Sequence, residues 1–320
     1  MFAPLANNTK GPNLSGAEFN PGPGKRINFD YTYPPTKEID YYASKGFGMI
    51  RLPFDISRVY PVPYAPLNIT EIIYMRLTID HCLAKGIYVI LDPHNYGLIY
   101  DGRTGQKLQI GTDPEGTKLF ADFWGRMGAM YKNYPNVFFG LMNEPNQQTA
   151  EQWHTGAIPA IKAIRAANAT QTILIPGTAW SGAHSWNSSG NAAVWAGFKE
   201  DPENNFAFEM HQYLDSDSSG THNVCISNSS AALEVATNWL VENKFRGFLA
   251  EFGWSVDSTC MTEGAKFMDY LTSYSNVWMG WTWWCGGPWY PSTYMFRLDP
   301  LSYTPPIIDR PQMATLLAHL

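Results

Sequence analysis

No apolar run in this 320-residue chain approaches the roughly 18 residues needed to cross a bilayer as a helix, which excludes a helical membrane protein. Charge is sparse at 16% of residues, and the 22 basic side chains are scattered. Nucleic-acid binding would need a basic stripe, and none is visible. The net charge of −6 speaks mainly to solubility. Cysteine is limited to Cys82, Cys225, Cys260 and Cys285, at spacings that fit no zinc motif. No internal repeat and no Pro/Ser/Thr linker divides the chain, so one domain over 1–320 is expected. Met1–Lys10 lacks the basic-then-apolar pattern of a signal peptide. The protein is therefore intracellular, or its signal has been removed.

What is present is a globular composition, 45% hydrophobic, with ample material for a core. Near-continuous apolar runs predict strands near Pro12–Gly16, Gly48–Pro53, Tyr88–His94, Val137–Asn143, Thr172–Pro176, Phe206–Tyr213, Gly247–Phe252 and Val277–Trp283. Such runs suit parallel strands covered on both faces. Helical patterns fall between them at Thr36–Lys45, Ile69–Lys85, Thr117–Asn133, Ala150–Ala167, Ala231–Asn243 and Thr262–Ser273. Lys45-Gly46 and Lys85-Gly86 supply stop signals. The interval Gly177–Asn205 is rich in Ser, Gly and Asn and only weakly helical. Eight strands alternating with helices give an α/β fold, a single (β/α)8 TIM barrel. An open doubly wound sheet is the alternative, but the Gly-x-Gly-x-x-Gly that usually follows its first strand is missing.

Two of the apolar runs end in a carboxylate: Val137–Met142 leads into Asn143-Glu144-Pro145, and Gly247–Ala250 into Glu251. Charged residues are rarely buried without a partner. Two carboxylates that meet in space suggest acid/base and nucleophilic chemistry on an acetal bond. Arg51, the Asp92-Pro93-His94-Asn95 segment, His211-Gln212-Tyr213 and Trp283-Trp284 also fall at predicted strand ends, where a barrel carries its catalytic groups. Singly, each has a plain explanation: a core histidine, a salt-bridge arginine, and, for Asp92, a loop cap. Their joint placement on one rim argues otherwise. Of twelve tryptophans, Trp180, Trp186, Trp195, Trp254, Trp284 and Trp289 fall at strand ends or in the loops that follow, where indoles can stack on sugar rings. Core packing accounts for Trp124, Trp239 and Trp278. Cys225 and Cys260 lie in polar loop sequence that suits a surface disulfide, whereas Cys82 sits among helical apolar residues and reads as a buried thiol. Six Asn-x-Ser/Thr triplets, at Asn7, Asn13, Asn68, Asn168, Asn187 and Asn228, would matter only on a eukaryotic secretory route.

With Ile50-Arg51-Leu52-Pro53, Asp92-Pro93-His94-Asn95-Tyr96, Gly140–Pro145, the run His211–His222 and Ala250-Glu251-Phe252-Gly253 in order, the chain resembles glycoside hydrolase family 5, in particular its fungal-type endo-β-1,4-glucanases. The resemblance covers nearly the whole chain. It implies a retaining mechanism with Glu144 as general acid/base and Glu251 as nucleophile, the latter kept ionised by Arg51 and Tyr213. It further implies that Asn143 binds the sugar 2-OH, that His94 and His211 bind substrate and support the acid/base, and that Trp284 is the platform under the cleaved sugar; Trp180, from its place in a loop after a strand, is expected as a further sugar contact. It supports pairing of Cys225 with Cys260. It implies no cofactor and no metal, a β-glucan substrate as partner, a monomer, and secretion. No separate carbohydrate-binding module is visible, which favours soluble or amorphous β-glucan over crystalline polymer. Mannan, xyloglucan and mixed-linkage glucan remain alternatives, as does a barrel that binds carbohydrate without cleaving it. A metal-dependent barrel hydrolase is disfavoured because Asp92-Pro93-His94-Asn95 supplies no His-x-His.

Overall fold

The computed structural model describes residues 8–320. Eight parallel strands close on themselves in the order β1-β8-β7-β6-β5-β4-β3-β2. They are β1 (Lys10–Leu14), β2 (Met49–Phe54), β3 (Tyr88–Pro93), β4 (Val137–Gly140), β5 (Ile173–Pro176), β6 (Phe206–His211), β7 (Gly247–Glu251) and β8 (Trp278–Gly286). Outside them run α1 (Thr36–Ser44), α2 (Ile69–Ala84), α3 (Pro114–Tyr131), α4 (Ala150–Ala166), α5 (Asn191–Trp195), α6 (Glu234–Asn243), α7 (Ser258–Ser273) and α8 (Gln312–Leu317). Among the described residues no helix is long and apolar enough to cross a membrane.

The helix starts follow side-chain chemistry. Asn68 accepts from the Thr70 amide, Asp257 accepts from Thr259 and Cys260, and Thr149 forms a reciprocal capping box with Gln152. Each satisfies amide donors that the first helical turn leaves unpaired. Helices α3 and α4 approach closely because residue 128 is glycine; a Cβ there would meet the Ile164 backbone at 3.3 Å.

An apolar cluster fills the barrel from below. Met49, Ile90, Phe138, Leu174, Ala207, Phe248, Ala250 and Met279 form a buried cluster of their own, apart from the larger core between sheet and helices. Strand residues two apart share a face. The positions two residues above Met49, Ile90 and Ala207 are therefore also inward, and they are Arg51, Asp92 and Glu209. The interior thus changes from hydrocarbon to ion pairs within one step along the strands.

Three features depart from the sequence reading. A two-stranded antiparallel hairpin, Leu98–Asp101 with Gln106–Gln109, lies between β3 and α3, where no strand was expected. Its pairs present mixed polarity, so no apolar run announced it. The Gly177–Asn205 interval holds only the short α5, and two of its tryptophans enter the core instead of the groove: Trp186 and Trp195 are buried and pack edge-on against Phe208. Helix α6 begins only at Glu234, preceded by a 3-10 turn over Ser229–Leu233.

Cys225 and Cys260 form a disulfide that ties the loop after β6 to the first turn of α7, and Cys82 and Cys285 are buried free thiols. The bridge closes a segment with a sequence separation of 35. Loop-closure entropy then predicts that the double substitution Cys225→Ser, Cys260→Ser costs about 3–4 kcal/mol. Urea unfolding of the two proteins checks this, and an unchanged midpoint would contradict it.

Candidate active site

The Arg51 guanidinium occupies the centre of the upper barrel and is fully buried. Nη1 donates to Glu251 Oε1 at 2.8 Å and to Asn13 Oδ1 at 3.0 Å. Nη2 donates to Asn143 Oδ1 and Glu209 Oε1, both at 2.9 Å, and lies 3.0 Å from Asp92 Oδ1. One cation on β2 thus gathers groups from β1, β3, β6, β7 and the segment after β4. Burial disfavours its charge, but Asp92, Glu209 and Glu251 outweigh that and raise its pKa further. A fork of planar donors suits this task as an ammonium would not.

Asp92, read from sequence as a loop cap, is instead a fully buried ion-pair partner. It holds Arg51 on one oxygen and His94 Nδ1 at 2.8 Å on the other. That contact fixes the ring, whose Nε2 meets Asn143 Nδ2 at 3.2 Å. The His94 ring stacks on Trp284 at 5.5 Å between centroids, inclined by 18°. Burial opposes protonation of His94, yet Asp92, Glu251 and Glu18 raise its pKa.

Glu251 reaches the groove through an irregularity. Met210 pairs with Leu249, but His211 pairs with Glu251, so β7 carries one extra residue there. Strict alternation after Phe248 and Ala250 would turn residue 251 toward the helices; the bulge aims it inward instead. Its second oxygen, Oε2, accepts from the Tyr213 hydroxyl at 2.9 Å. Burial is the largest influence on this carboxyl and pushes its pKa above the ordinary 4.5. The neighbouring Glu144 adds to that push, while His211, Arg51 and His94 oppose it. The expected cation and hydroxyl donor are thus both present, but they act against a burial cost that sequence reading did not weigh.

Glu144 stands opposite, with φ 44°, in a left-handed conformation unusual for a side chain of its size. Its Oε1 is 2.8 Å from His211 Nδ1. A ligating atom of each of Glu144, His211 and Glu251 lies within 4.8 Å of the others. The two carboxyls therefore face one another across a single groove. Such a triad has metal-binding dimensions, but its Glu251 oxygens are already bonded to a guanidinium and a phenol. A second group, Asp215, Asp217 and His222, is also compact; there Asp215 accepts from the amides of Gly220, Thr221 and His222 and closes a turn.

Beyond Glu144 opens a cavity of ≈ 690 Å³, lined by Tyr96, Glu144, Trp180, His184, His211 and Ser218 among others. Trp180 is 57% exposed there. It sits in a left-handed turn in which Ala179, Trp180 and Ser181 have φ of 53°, 56° and 56°. Each such residue costs roughly 1–2 kcal/mol. The turn is held by Trp180 N–H to the Pro145 carbonyl at 3.1 Å, and by Ser181 Oγ, which accepts from Gly177 and donates to the Glu209 carbonyl. An indole is thus fixed at the edge of the groove next to Glu144.

Glu144, Glu251, Arg51, His94, Asn143, His211, Tyr213, Trp284 and Trp180, named from sequence for catalysis and sugar contact, converge. Of the other loop tryptophans, Trp186, Trp195 and Trp254 are fully buried and make core contacts, whereas Trp289 is 38% exposed and stacks on Phe19. Glu209 and Asn13 were missed as site residues. A glutamate inside the apolar strand Phe206–His211, spaced two from a histidine, was the available signal for the former. Asn13, noted only as a glycosylation triplet, is fully buried and bonded to Arg51.

Arg51→Met leaves three buried carboxyls without their shared cation and should cost about 3–5 kcal/mol at pH 7. Arg51 opposes the rise in the Glu251 pKa; without it that pKa rises further in the folded state, so the variant binds more protons on folding and recovers stability as pH falls. Urea unfolding at pH 7 and pH 5 reads this as a smaller deficit at pH 5; an equal deficit would count against it.

Residues 8–287 match the family described as Cellulase (glycosyl hydrolase family 5). Endoglucanase 1 of Robillarda sp. is 33% identical over 323 residues, covering 93% of this chain and 83% of the relative. Endo-beta-1,4-glucanase A of Emericella nidulans is 35% identical over 301 residues, covering 91% and 87%. Among solved structures, XacCel5A in complex with cellopentaose aligns with a TM-score of 0.91 at 40% identity over 99% of both chains. The endo-beta-1,4-glucanase Xac0029 of Xanthomonas axonopodis pv. citri gives 0.90 at 39% over 98% of both.

Proposed function

The chain belongs to glycosyl hydrolase family 5, and from that membership we propose the assignment of its groove to cleavage of β-1,4-glucan by double displacement. The protein is an endo-β-1,4-glucanase. The observation that carries the mechanism is the approach of Glu144 and Glu251 to within 4.8 Å between carboxylate oxygens. Retaining glycosidases place their carboxyl groups about 5–5.5 Å apart, whereas inverting ones need about 6.5–9.5 Å to admit a water.

In the first step Glu251 attacks the anomeric carbon while the bond to the glycosidic oxygen breaks. The bonding pair leaves with that oxygen, which takes the proton of the Glu144 carboxyl. In the second step Glu144, now a carboxylate, removes a proton from water as the water oxygen attacks the same carbon and the ester to Glu251 opens. Tyr213 and Arg51 hold Glu251 by both oxygens and fix its direction of attack. Asn143, anchored by Arg51 and His94, binds the 2-OH, and Trp284 with its stacked His94 forms the platform beneath the cleaved sugar. Trp180 receives the sugar on the leaving side, where the cavity beyond Glu144 opens. The substrate is a soluble or amorphous β-1,4-glucan. The Cys225–Cys260 disulfide fits an oxidising compartment and thus secretion.

Glu144→Gln should lower kcat on carboxymethylcellulose by about 10²–10⁴-fold, and Glu251→Gln should reduce it to background, with folding preserved in both. Reducing-sugar assays with mannan, xyloglucan and mixed-linkage glucan alongside show which polymer is preferred. Loss in only one variant would refute the paired roles, and early release of α-anomers would refute retention.

The nucleophile acts ionised, so kcat/KM of the free enzyme falls as pH drops through the Glu251 pKa, which lies above 4.5. Glu144 keeps its proton while Glu251 titrates, so Glu144→Gln leaves the charge around Glu251 unchanged on this limb. With an aryl cellobioside whose leaving group needs no proton, the acidic limb of that variant should therefore stay in place. A limb that moves to lower pH would show that Glu144 is ionised while Glu251 titrates, against its role as the acid.

A further inference from the structure

The pair of catalytic carboxyls leaves unexplained a third glutamate, Glu209, buried beneath them with no exposed surface and no route to a sugar. Its Oε1 accepts from Arg51 at 2.9 Å and lies 3.4 Å from His211 Nε2. Its Oε2 has no hydrogen-bond partner among the described residues and faces Gly140, where a Cβ would stand 3.3 Å from it. Burying a carboxylate is costly unless nearby charge offsets it. Arg51 is one offset, but Arg51 already holds Asp92 and Glu251.

His211 is the informative neighbour. Its Nδ1 is 2.8 Å from Glu144 Oε1 and 3.7 Å from Glu251 Oε2, while Nε2 faces Glu209. Both ring nitrogens therefore face carboxyl groups. A neutral imidazole has one donor and one acceptor nitrogen: with Nδ1–H toward Glu144 it would set a lone pair against Glu209, and with Nε2–H toward Glu209 it would tie up the Glu144 proton at Nδ1. Only the imidazolium donates from both and leaves the proton of Glu144 on its other oxygen, free for the leaving group. Farther out, the charged groups are Arg51 from β2 and the His94–Asp92 pair from β3, and the neutral Tyr213 phenol follows on β6's own chain.

We propose that Glu209 is a positioning residue that holds His211 as a fixed cation between Glu144 and Glu251, so that negative charge can pass from one to the other without changing the net charge of the site. This rests on the roles given above to Glu144 and Glu251. In the free enzyme Glu251 carries the charge and Glu144 the proton. When the glycosyl ester forms, Glu251 loses its charge as Glu144 becomes a carboxylate. His211 borders both, and hydrolysis of the ester reverses the exchange. The cation stays in place throughout because Glu209, which takes no part in bond making, keeps its charge. Burial acts against protonation of His211, but Glu251, Glu144 and Glu209 together push its pKa up to about 10.

The test reads His211 directly. In ¹⁵N-histidine NMR at pH 7, the wild-type ring should be protonated on both nitrogens; a neutral ring would overturn the proposal with no variant needed. Glu209→Gln keeps the shape and removes the charge. It should lower the His211 pKa by about 1 unit or more and, at pH above the lowered value, reduce kcat on β-1,4-glucan about tenfold relative to wild type, with KM within about twofold, because Glu209 touches no sugar. In a His211→Asn background the same substitution should leave kcat unchanged. An equal further loss there would mean that Glu209 acts through Arg51 alone, and the proposal would fail. If Glu209→Gln does not fold, Glu209→Asp replaces it in the same measurements. Glu144→Gln and Glu251→Gln assayed in parallel keep the two readings separate: hydrolysis retained by either sinks the assignment of the carboxyls, whereas their loss with an unshifted His211 sinks only the role of Glu209.

Discussion

A single buried cation organises the upper half of this barrel. Arg51 is held by carboxylates from three other strands and by two asparagine oxygens, and it reaches them only because the barrel is closed. Buried ion pairs are poor sources of stability, since desolvation consumes most of the attraction. Their use here is geometric. A guanidinium with five fixed donors admits few arrangements of its acceptors, so Asp92, Glu209, Glu251 and Asn143 are set relative to one another before any sugar arrives. Such preorganisation is what an enzyme needs where charge develops on the reacting groups.

The cluster also explains its protonation. Arg51 and the His211 cation are set against four carboxyls, Asp92, Glu144, Glu209 and Glu251, while His94 carries its proton on Nδ1, toward Asp92, and accepts from Asn143 at Nε2. A site this dry holds more carboxyls than cations, which favours a proton left on one of them. A retaining glycosidase begins its cycle with that arrangement. The proton to be delivered is thus a consequence of charge balance in a confined volume, not only of the environment of one residue.

Below this layer the barrel is hydrocarbon, and around it aromatic rings do two kinds of work. Trp124, Trp153, Trp186, Trp195, Trp254 and Trp283 are fully buried, several meeting phenylalanine edges in the core. Trp180 and Trp284 border the groove. Nothing in the residue type separates the groups; what separates them is the face of the strand, helix or loop on which each ring lies, as the neighbours Trp283 and Trp284 show on β8.

The strand and helix pattern was legible because parallel strands buried on both faces must be continuous apolar runs, and each predicted barrel strand exists within a few residues. Glu144, Glu251, Arg51, His94 and His211 were legible together: each alone had a plain explanation, but polar groups at the ends of so many apolar runs share one rim of a barrel. The hairpin at Leu98–Gln109 was not, because its residues alternate without an apolar face. Nor were the burial of Trp186 and Trp195, the ion-pair role of Asp92, or the place of Glu209 and Asn13. These depend on which side chains a closed barrel brings to one point. The β7 bulge shows the limit most plainly. Sequence alone determined that a glutamate follows Gly247–Ala250, since composition and order are local. Whether that carboxylate faces the groove or the helices turns on one extra residue in the pairing with β6, and strand register is settled only by hydrogen bonds between segments distant in the chain.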